Sequence, residues 1–263
     1  DVKITIDGNE ADQGAIINMN NESGQRSIEI DSHESTGDGV IRVYDTTGVK
    51  TVEMNGDQGR TGNLALFNNE GTRTIALDAR EGDLAGQILL ADATGATTVE
   101  IDADLGGTSR IRVDVLQLTG GADLSEQFDV APTAGGGLSA APGTVVCIDP
   151  TRPGELRVSD TAYDTRVAGV ISGAGGVRPG LLMGQEGSVA HGQHPVALTG
   201  RVYVQADATT GAIEPGDLLT TSHVPGHAMR VDDPARATGA ILGKAMTRLD
   251  RGRGLVLVLV SLQ

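Results

Sequence analysis

Along the first 118 residues, apolar and polar positions alternate in short runs that recur at a fixed interval. Ser27-Ile28-Glu29-Ile30-Asp31, Thr51-Val52-Glu53-Met54-Asn55, Thr74-Ile75-Ala76-Leu77-Asp78 and Thr98-Val99-Glu100-Ile101-Asp102 agree position by position. Lys3-Ile4-Thr5-Ile6-Asp7 is a partial fifth copy. The closing Asp or Asn falls at positions 7, 31, 55, 78 and 102, an almost constant spacing. Gly24, Gly48, Gly71 and Gly95 each stand seven residues before the end of a complete copy. A second alternating run precedes each glycine: Ile17-Asn18-Met19, Ile41-Arg42-Val43, Leu64-Ala65-Leu66 and Ile88-Leu89-Leu90. The unit is strand, Gly turn, strand, then a Gly/Asp-rich loop, and its repetition predicts a repeat architecture. Period two places Ile28 and Ile30 on one face of a strand and Glu29 on the other, so one face is aliphatic and the other acidic. A single hairpin cannot bury such a face alone, and copies must stack along an axis.

After Leu118-Thr119-Gly120-Gly121 the pattern changes. Residues 121–128, Gly-Ala-Asp-Leu-Ser-Glu-Gln-Phe, predict one short helix, with Asp123 as cap and Glu126 completing a capping-box-like pair. Short strands punctuated by Gly and Pro follow at 144–148, 167–171, 196–204, 218–220, 240–245 and 255–262. The last run, Leu255-Val256-Leu257-Val258-Leu259-Val260, is apolar at every position and reads as a central strand covered on both faces. The expected organisation is a repetitive β-hairpin or β-helical shaft over 1–118, a short helical linker over 119–131 and a compact C-terminal β domain over 132–263, all-β throughout apart from that linker.

Composition narrows the picture. Of 263 residues, 38% are hydrophobic and 21% charged, which points to a folded, soluble chain rather than a disordered or membrane-embedded one. No signal peptide opens the sequence, and Asp1 in place of Met suggests a processed, trimmed or partial chain. There are only five aromatic residues, Tyr44, Phe67, Phe128, Tyr163 and Tyr203. Base-stacking and sugar-stacking platforms need more, and the net charge of −15 also opposes nucleic-acid binding. Residues 1–118 hold 21 acidic and 9 basic residues, against 14 and 11 in residues 119–263. The charge is therefore concentrated in the repeats. Two stacking arrangements compete: a single-chain β-solenoid with one coil per repeat, and a homotrimer whose three chains share a thin axial core. The scarcity of rings favours the trimer, with Ile28, Ile30, Val52, Ile75, Leu77, Val99 and Ile101 as its core residues.

Candidate chemistry is sparse. Cys147 stands alone, is barred from an intrachain disulfide, and reads as a small buried hydrophobe. His191 and His194, and His223 and His227, have spacings able to ligate a metal, or to form rings of three on a three-fold axis. Solvated loop histidines are the plainer account, and no metal or other cofactor is expected. The Asp/Gly-rich loops at 35–39 and 55–59 lack the spacing of a calcium loop, and turn chemistry explains them. Gly135-Gly136-Gly137 and Gly173-Ala174-Gly175-Gly176 lack the context of a phosphate loop.

The second half resembles a known family. Residues 121–128 are similar to the "GAD-x-AE-x-F" opening of C-terminal domains on phage tail fibres and neck appendages, with Ser125 where that family often has Ala. Val167-Ala168-Gly169-Val170-Ile171-Ser172-Gly173 is similar to its "GIVSG" strand, and the segments beginning at Pro195 and Pro215 also fit. The resemblance covers the chain from Gly121 onward. It implies a trimeric appendage in a virion tail or on a cell surface, with a C-terminal domain that promotes assembly and in some members cleaves itself from the shaft. No catalytic pair carries over residue by residue. Asp123 and Glu126 are the only carboxylates in the motif and so the only candidates for self-cleavage. The expected function is structural rather than enzymatic. Expected partners are two further copies of the chain and neighbouring virion or cell-surface proteins, with a surface receptor or glycan as a further candidate, no nucleic acid and no membrane insertion.

Overall fold

The computed structural model describes residues 3–9, 14–34, 38–56, 62–79, 86–103, 108–131 and 140–262. Residues 35–37 and 57–59 of the two candidate calcium loops, and Gly135 to Gly137, lie outside the described residues. Strands make up 53% of the chain, and no α-helix occurs among the described residues, so none is there to cross a membrane. The chain divides into two compact units, Asp1–Leu116 and Gln117–Gln263.

The first unit is one antiparallel sheet of ten strands: β1 (Lys3–Asn9), β2 (Gly14–Asn20), β3 (Arg26–Glu34), β4 (Asp38–Tyr44), β5 (Lys50–Asn55), β6 (Asn63–Phe67), β7 (Arg73–Ala79), β8 (Gly86–Ala91), β9 (Thr97–Asp102) and β10 (Arg110–Arg112). Each strand pairs with its neighbour in sequence. This is a meander of hairpins, and the coil expected of a single-chain solenoid does not form.

Every second connection uses the same turn chemistry. Asn21 Oδ1 accepts from the amides of Ser23 and Gln25, Asp45 Oδ1 from Thr47 and Val49, Asn68 Oδ1 from Glu70 and Thr72, and Asp92 Oδ1 from Thr94 and Ala96. Such Asx turns stand in for backbone turns. Gly24, Gly48, Gly71 and Gly95 follow three residues later with φ of 78° to 89°, a region that costs any residue with a Cβ. A register shift precedes each turn, so the hairpin closes through a bulge. The hydroxyls of Ser27, Thr51 and Thr98 donate to the carbonyls of Met19, Val43 and Leu90 beside the bulges.

The second unit contains β11 (Asp123–Phe128), β12 (Val130–Ala131), β13 (Val145–Ile148), β14 (Leu156–Val158), β15 (Val167–Ile171), β16 (Pro179–Met183), β17 (His194–Asp207), β18 (Leu218–Thr221), β19 (Ala228–Arg230), β20 (Ile241–Ala245) and β21 (Arg253–Ser261). Strands β17, β19, β18, β20 and β21 close into a five-stranded barrel, since β17 pairs with both β19 and β21. Its core is aliphatic: Val202, Val204, Leu219, Leu242, Val256 and Val258 are all 0% or 1% exposed. The 14-residue β17 runs beyond the barrel, where its first half pairs with β11 and β15.

Two expectations are overturned. Residues 123–128 form strand β11 instead of a helix, held between β16 and β17. The capping-box signal was local, whereas pairing on both edges of the segment satisfies its backbone groups from outside, and tertiary pairing prevails over propensity. Glycine makes that insertion feasible, since a Cβ on Gly121 would lie 2.1 Å from the Pro179 carbonyl oxygen. Strand β21 is likewise not covered on both faces. Val256, Val258 and Val260 face the core, but Leu255 and Leu259 are 41% and 44% exposed, so this chain covers only one side of the strand.

The turn geometry is directly testable. Gly71 has φ +78° and open surroundings, the nearest atom to an added Cβ being Val49 Cγ1 at 3.7 Å, so backbone strain alone decides the outcome. Gly71→Val is expected to cost about 1–2 kcal/mol and Gly71→Asn clearly less, because Asn tolerates the left-handed region. Thermal denaturation followed by circular dichroism measures the difference, and equal losses for Val and Asn would refute the assignment.

Candidate functional site

The register of the first sheet carries its principal surface feature. One row of directly opposed residues runs Ile6, Ile17, Ile30, Ile41, Met54, Leu64, Leu77, Ile88, Ile101, Ile111. A second runs Ile4, Met19, Ile28, Val43, Val52, Leu66, Ile75, Leu90, Val99. Members of the two rows differ by two positions on each strand and so share a face. All seven residues named from the sequence as core candidates, Ile28, Ile30, Val52, Ile75, Leu77, Val99 and Ile101, lie in these rows. The rows stay open to solvent: Met54 is 49% exposed, Leu77 42%, Ile101 40% and Ile6 71%.

The opposite face carries less free charge than a bare acidic surface would. Glu29, 5% exposed, receives Arg42 Nη1 at 2.6 Å and pairs with Arg26. Arg42 continues through Nε to Glu53 at 3.1 Å, and Lys50 Nζ reaches Glu53 at 2.7 Å. Burial pushes the Glu53 carboxyl up, but hydrogen bonds and charge from Lys50 and Arg42 outweigh it and hold the group below its usual value. Ala65 and Ala76, both buried, continue this face where the acidic pattern lapses. The polar face thus carries ion pairs over β3–β5 and again between Glu100 and Arg112, with Ala65, Ala76 and Leu89 between them, while the aliphatic face has no cover among the described residues of the unit.

In the second unit the two motifs that carried the family resemblance meet. Asp123 Oδ1 accepts from Ser125 Oγ at 2.5 Å, and Asp123 Oδ2 accepts from Ser172 Oγ at 2.8 Å. All three are buried, at 5%, 0% and 3% exposure. A buried carboxylate is tolerated only with such donors. Asp123 therefore ties β11 to the end of β15, a role different from the helix cap expected of it. Glu126 does not join the cluster: it follows Ser125 by one residue, faces the other side of β11, and is half-buried opposite Val196 and Met183. The structure does not bring the two candidate self-cleavage carboxylates together. Asn21, Asp45, Asn68 and Asp92, and Ser172 as the partner of Asp123, were missed in the sequence. The Asx residues had a visible signal, an Asn or Asp three positions before every repeat glycine.

The histidines stay dispersed. His191 and His223 are exposed, and His194 opens β17. His227 sets its Nδ1 2.8 Å from the Pro225 carbonyl. Among the described residues no three His, Cys, Asp or Glu side chains converge on a common point. Cys147 is fully buried, and burial, with the nearby Asp164 carboxylate adding to it, pushes its thiol up to about 12. That thiol is no nucleophile at neutral pH. Asp164 is the hub of a second polar knot, taking Arg166 Nε and Arg157 Nη2 each at 2.9 Å, while its amide donates to Thr221 Oγ1. Burial raises the Asp164 carboxyl, but the combined hydrogen bonds and charges of Arg166 and Arg157 bring it below the usual 3.8.

These clusters set two expectations. Asp123→Ala leaves two buried hydroxyls without their acceptor and is expected to cost the second unit about 2 kcal/mol or more, while Asp123→Asn keeps an acceptor oxygen and costs less. Thermal midpoints compare the two, and the purified chain is expected to keep a single 27.0 kDa mass on prolonged incubation. The Asp164 carboxyl titrates lower folded than unfolded, so its stabilisation is complete above 3.8 and fades as pH falls through the lowered value. Circular-dichroism melts across that acid range should show a steep loss that Asp164→Asn flattens. No family model matches the chain, and no curated protein matches it either.

Proposed function

We propose that this chain is a structural fibre protein, a component of a phage tail appendage or bacterial surface fibre, whose repeats assemble as a homotrimer through the aliphatic face of the first unit. One observation carries the reading: one unbroken aliphatic row crosses all ten strands and a second crosses nine, and no described residue of that unit covers them. Patches of that extent on a soluble protein mark an interaction surface. Covering half-exposed Ile, Leu and Met side chains gains about 1 kcal/mol each. Nine residues of the rows are more than a third exposed, and together they would contribute roughly 10 kcal/mol per chain, of the same order as the 4–15 kcal/mol that association costs.

The dimensions favour three copies. Six residues of strand span about 20 Å, and three sheets of that width set as a triangle leave about 6 Å from each sheet to the axis. That distance is the reach of an Ile or Leu side chain and short of the room a stacked ring needs. Three narrow sheets also close one another's flanks, whereas two leave both flanks of the sandwich open. The outward face of each sheet then carries the ion pairs of Glu29, Arg42, Glu53 and Glu100, which favour solubility. The second unit, an independent β fold with its own core, acts as the assembly domain that aligns the chains. The fibre's partners in turn are neighbouring virion or cell-surface proteins.

Light scattering on the purified chain is expected to give about three times 27.0 kDa. Ile101→Asp places a carboxylate in the longer row and should reduce that mass or misfold the repeats. A wild-type mass of one chain, or an Ile101→Asp variant that sediments as an intact trimer, would sink the reading.

A further inference from the structure

We infer that the outer wall of the barrel over β17, β20 and β21 is a membrane-contact face, which rests on a lipid surface rich in anionic headgroups. Free positive charge singles it out. Of the 11 basic residues after residue 118, Arg152, Arg157, Arg166, Arg230 and Arg248 are ion-paired, and Arg236 lies over the Tyr163 ring. Arg178, Arg201 and Lys244 are exposed and make no ion pair or side-chain hydrogen bond among the described residues. Arg201 on β17 and Lys244 on β20 both pair with Leu259 of β21, one from each side, which sets them about 9.6 Å apart. The Ala122 amide donates to the Arg178 carbonyl, and the Ala122 carbonyl accepts from the Arg201 amide, so Arg178 lies one step further along the same band. The other two cations stand at the far end of β21, which Arg251 precedes and Arg253 opens. Asp217 and Glu214, which precede Leu218 opposite Lys244, are already occupied: Glu214 by Arg248 at 3.0 Å, and Asp217 by the Glu214 amide at 2.8 Å.

Between these cations the wall is aliphatic. Val256, Val258 and Val260 fill the barrel, and period two turns Leu255, Leu257 and Leu259 outward, with Leu259 44% exposed. Met246, 42% exposed, donates its amide to the Leu257 carbonyl and extends the stripe. Three properties favour a lipid surface over a peptide or a sugar chain. The outer wall of a barrel is convex, so it rests against a plane and offers no groove to a strand or a glycan. Its one ring is taken: a Cβ on Gly175 would fall 2.4 Å from Tyr203 Cδ2, so the Gly175 backbone packs where a sugar would stack. The order of side chains also matches the layers of a bilayer boundary. Leu259 at the crest meets the acyl side, while the longer Arg201 and Lys244 on the neighbouring strands reach back to the phosphates, their stems over apolar surface. The net charge of −15 does not forbid the contact, since screening limits the reach of each exposed charge to about 8 Å at physiological ionic strength. The contact is peripheral, with nothing inserted through the bilayer.

The test sediments the full chain with phosphatidylcholine vesicles, either plain or with about a third phosphatidylglycerol. Binding is expected to the anionic vesicles alone, and should fade between about 0.1 M and about 1 M salt as the screening length shrinks to about 3 Å. Arg201→Glu should weaken it about tenfold, and Leu259→Ser several-fold at unchanged net charge. Arg251→Glu makes the same change of net charge beyond the other end of β21 and should bind as the wild type does. All three positions are exposed, and coincident circular-dichroism melts check that the variants are folded. Equal binding to both kinds of vesicle, or to neither, overturns the inference. So does an equal loss in Arg201→Glu and Arg251→Glu, which is an effect of net charge alone. A Leu259→Ser variant that binds as the wild type also overturns it, since the face is then a bare anion site. Light scattering on the same sample keeps this inference apart from the fibre reading. Three chains without vesicle binding remove the membrane contact and leave the fibre, and one chain with binding does the reverse.

Discussion

A sheet in which every strand offers aliphatic residues to one side depends on its register above all else. Side chains alternate with period two, so a slip of one residue between any two strands would turn the aliphatic positions of everything beyond it to the wrong side. The first unit guards against that slip at every second connection. An Asn or Asp accepts two amides, a glycine takes the left-handed conformation three residues on, and a bulge absorbs the odd residue. The turn is therefore a counting device as much as a connector. Because it recurs at Asn21, Asp45, Asn68 and Asp92, the rows that begin at Ile4 and Ile6 remain straight as far as β9 and β10.

The same economy of space explains the shortage of rings in the second half. A five-stranded barrel has a narrow interior, since barrel diameter grows with strand number. Val202, Val204, Val256, Val258, Leu219 and Leu242 fill it, and there is no width left for Phe or Trp. Tyr203 follows suit by lying on the outside of β17, beside Leu257. The two units thus share a composition for different geometrical reasons: a narrow shared column is proposed for the first, and a small closed barrel is present in the second.

What could be read in the sequence followed the range of each signal. The hairpin repeat was legible because its signals are local and recur, and the alternation of Ile28, Glu29 and Ile30 already fixes their faces. Strands at 167–171 and 218–220, the latter one residue short of its observed end, were legible from apolar runs bounded by Gly and Pro. Residues 123–128 misled because Asp123 and Glu126 imitate a capping box, while the reason for a strand lies far along the chain, in β16 and β17. The bond from Ser172 to Asp123 joins segments equally remote in sequence and has no local trace. Leu255 and Leu259 misled in the reverse direction, since a run apolar at every position suggests cover on both sides, whereas here one side is left 41% and 44% exposed at these two residues.

The Asx-and-glycine turn also makes the repeat a currency of length. Each unit opens and closes in the same register, so inserting or removing one whole repeat returns the chain to the same face and the same side of the sheet. Such a change adds or removes two strands, about 9.6 Å of sheet, and leaves every other hairpin with the neighbours it already had. A lineage carrying this pattern can vary its reach by duplicating or losing whole units, in steps of one size, without inventing a new packing solution. The interval between Asn55 and Asp78, one position shorter than the others, shows where such a step tolerates imprecision. The loss falls outside the Asx turn, whose spacing from Asn68 to Gly71 is the same as in its neighbours.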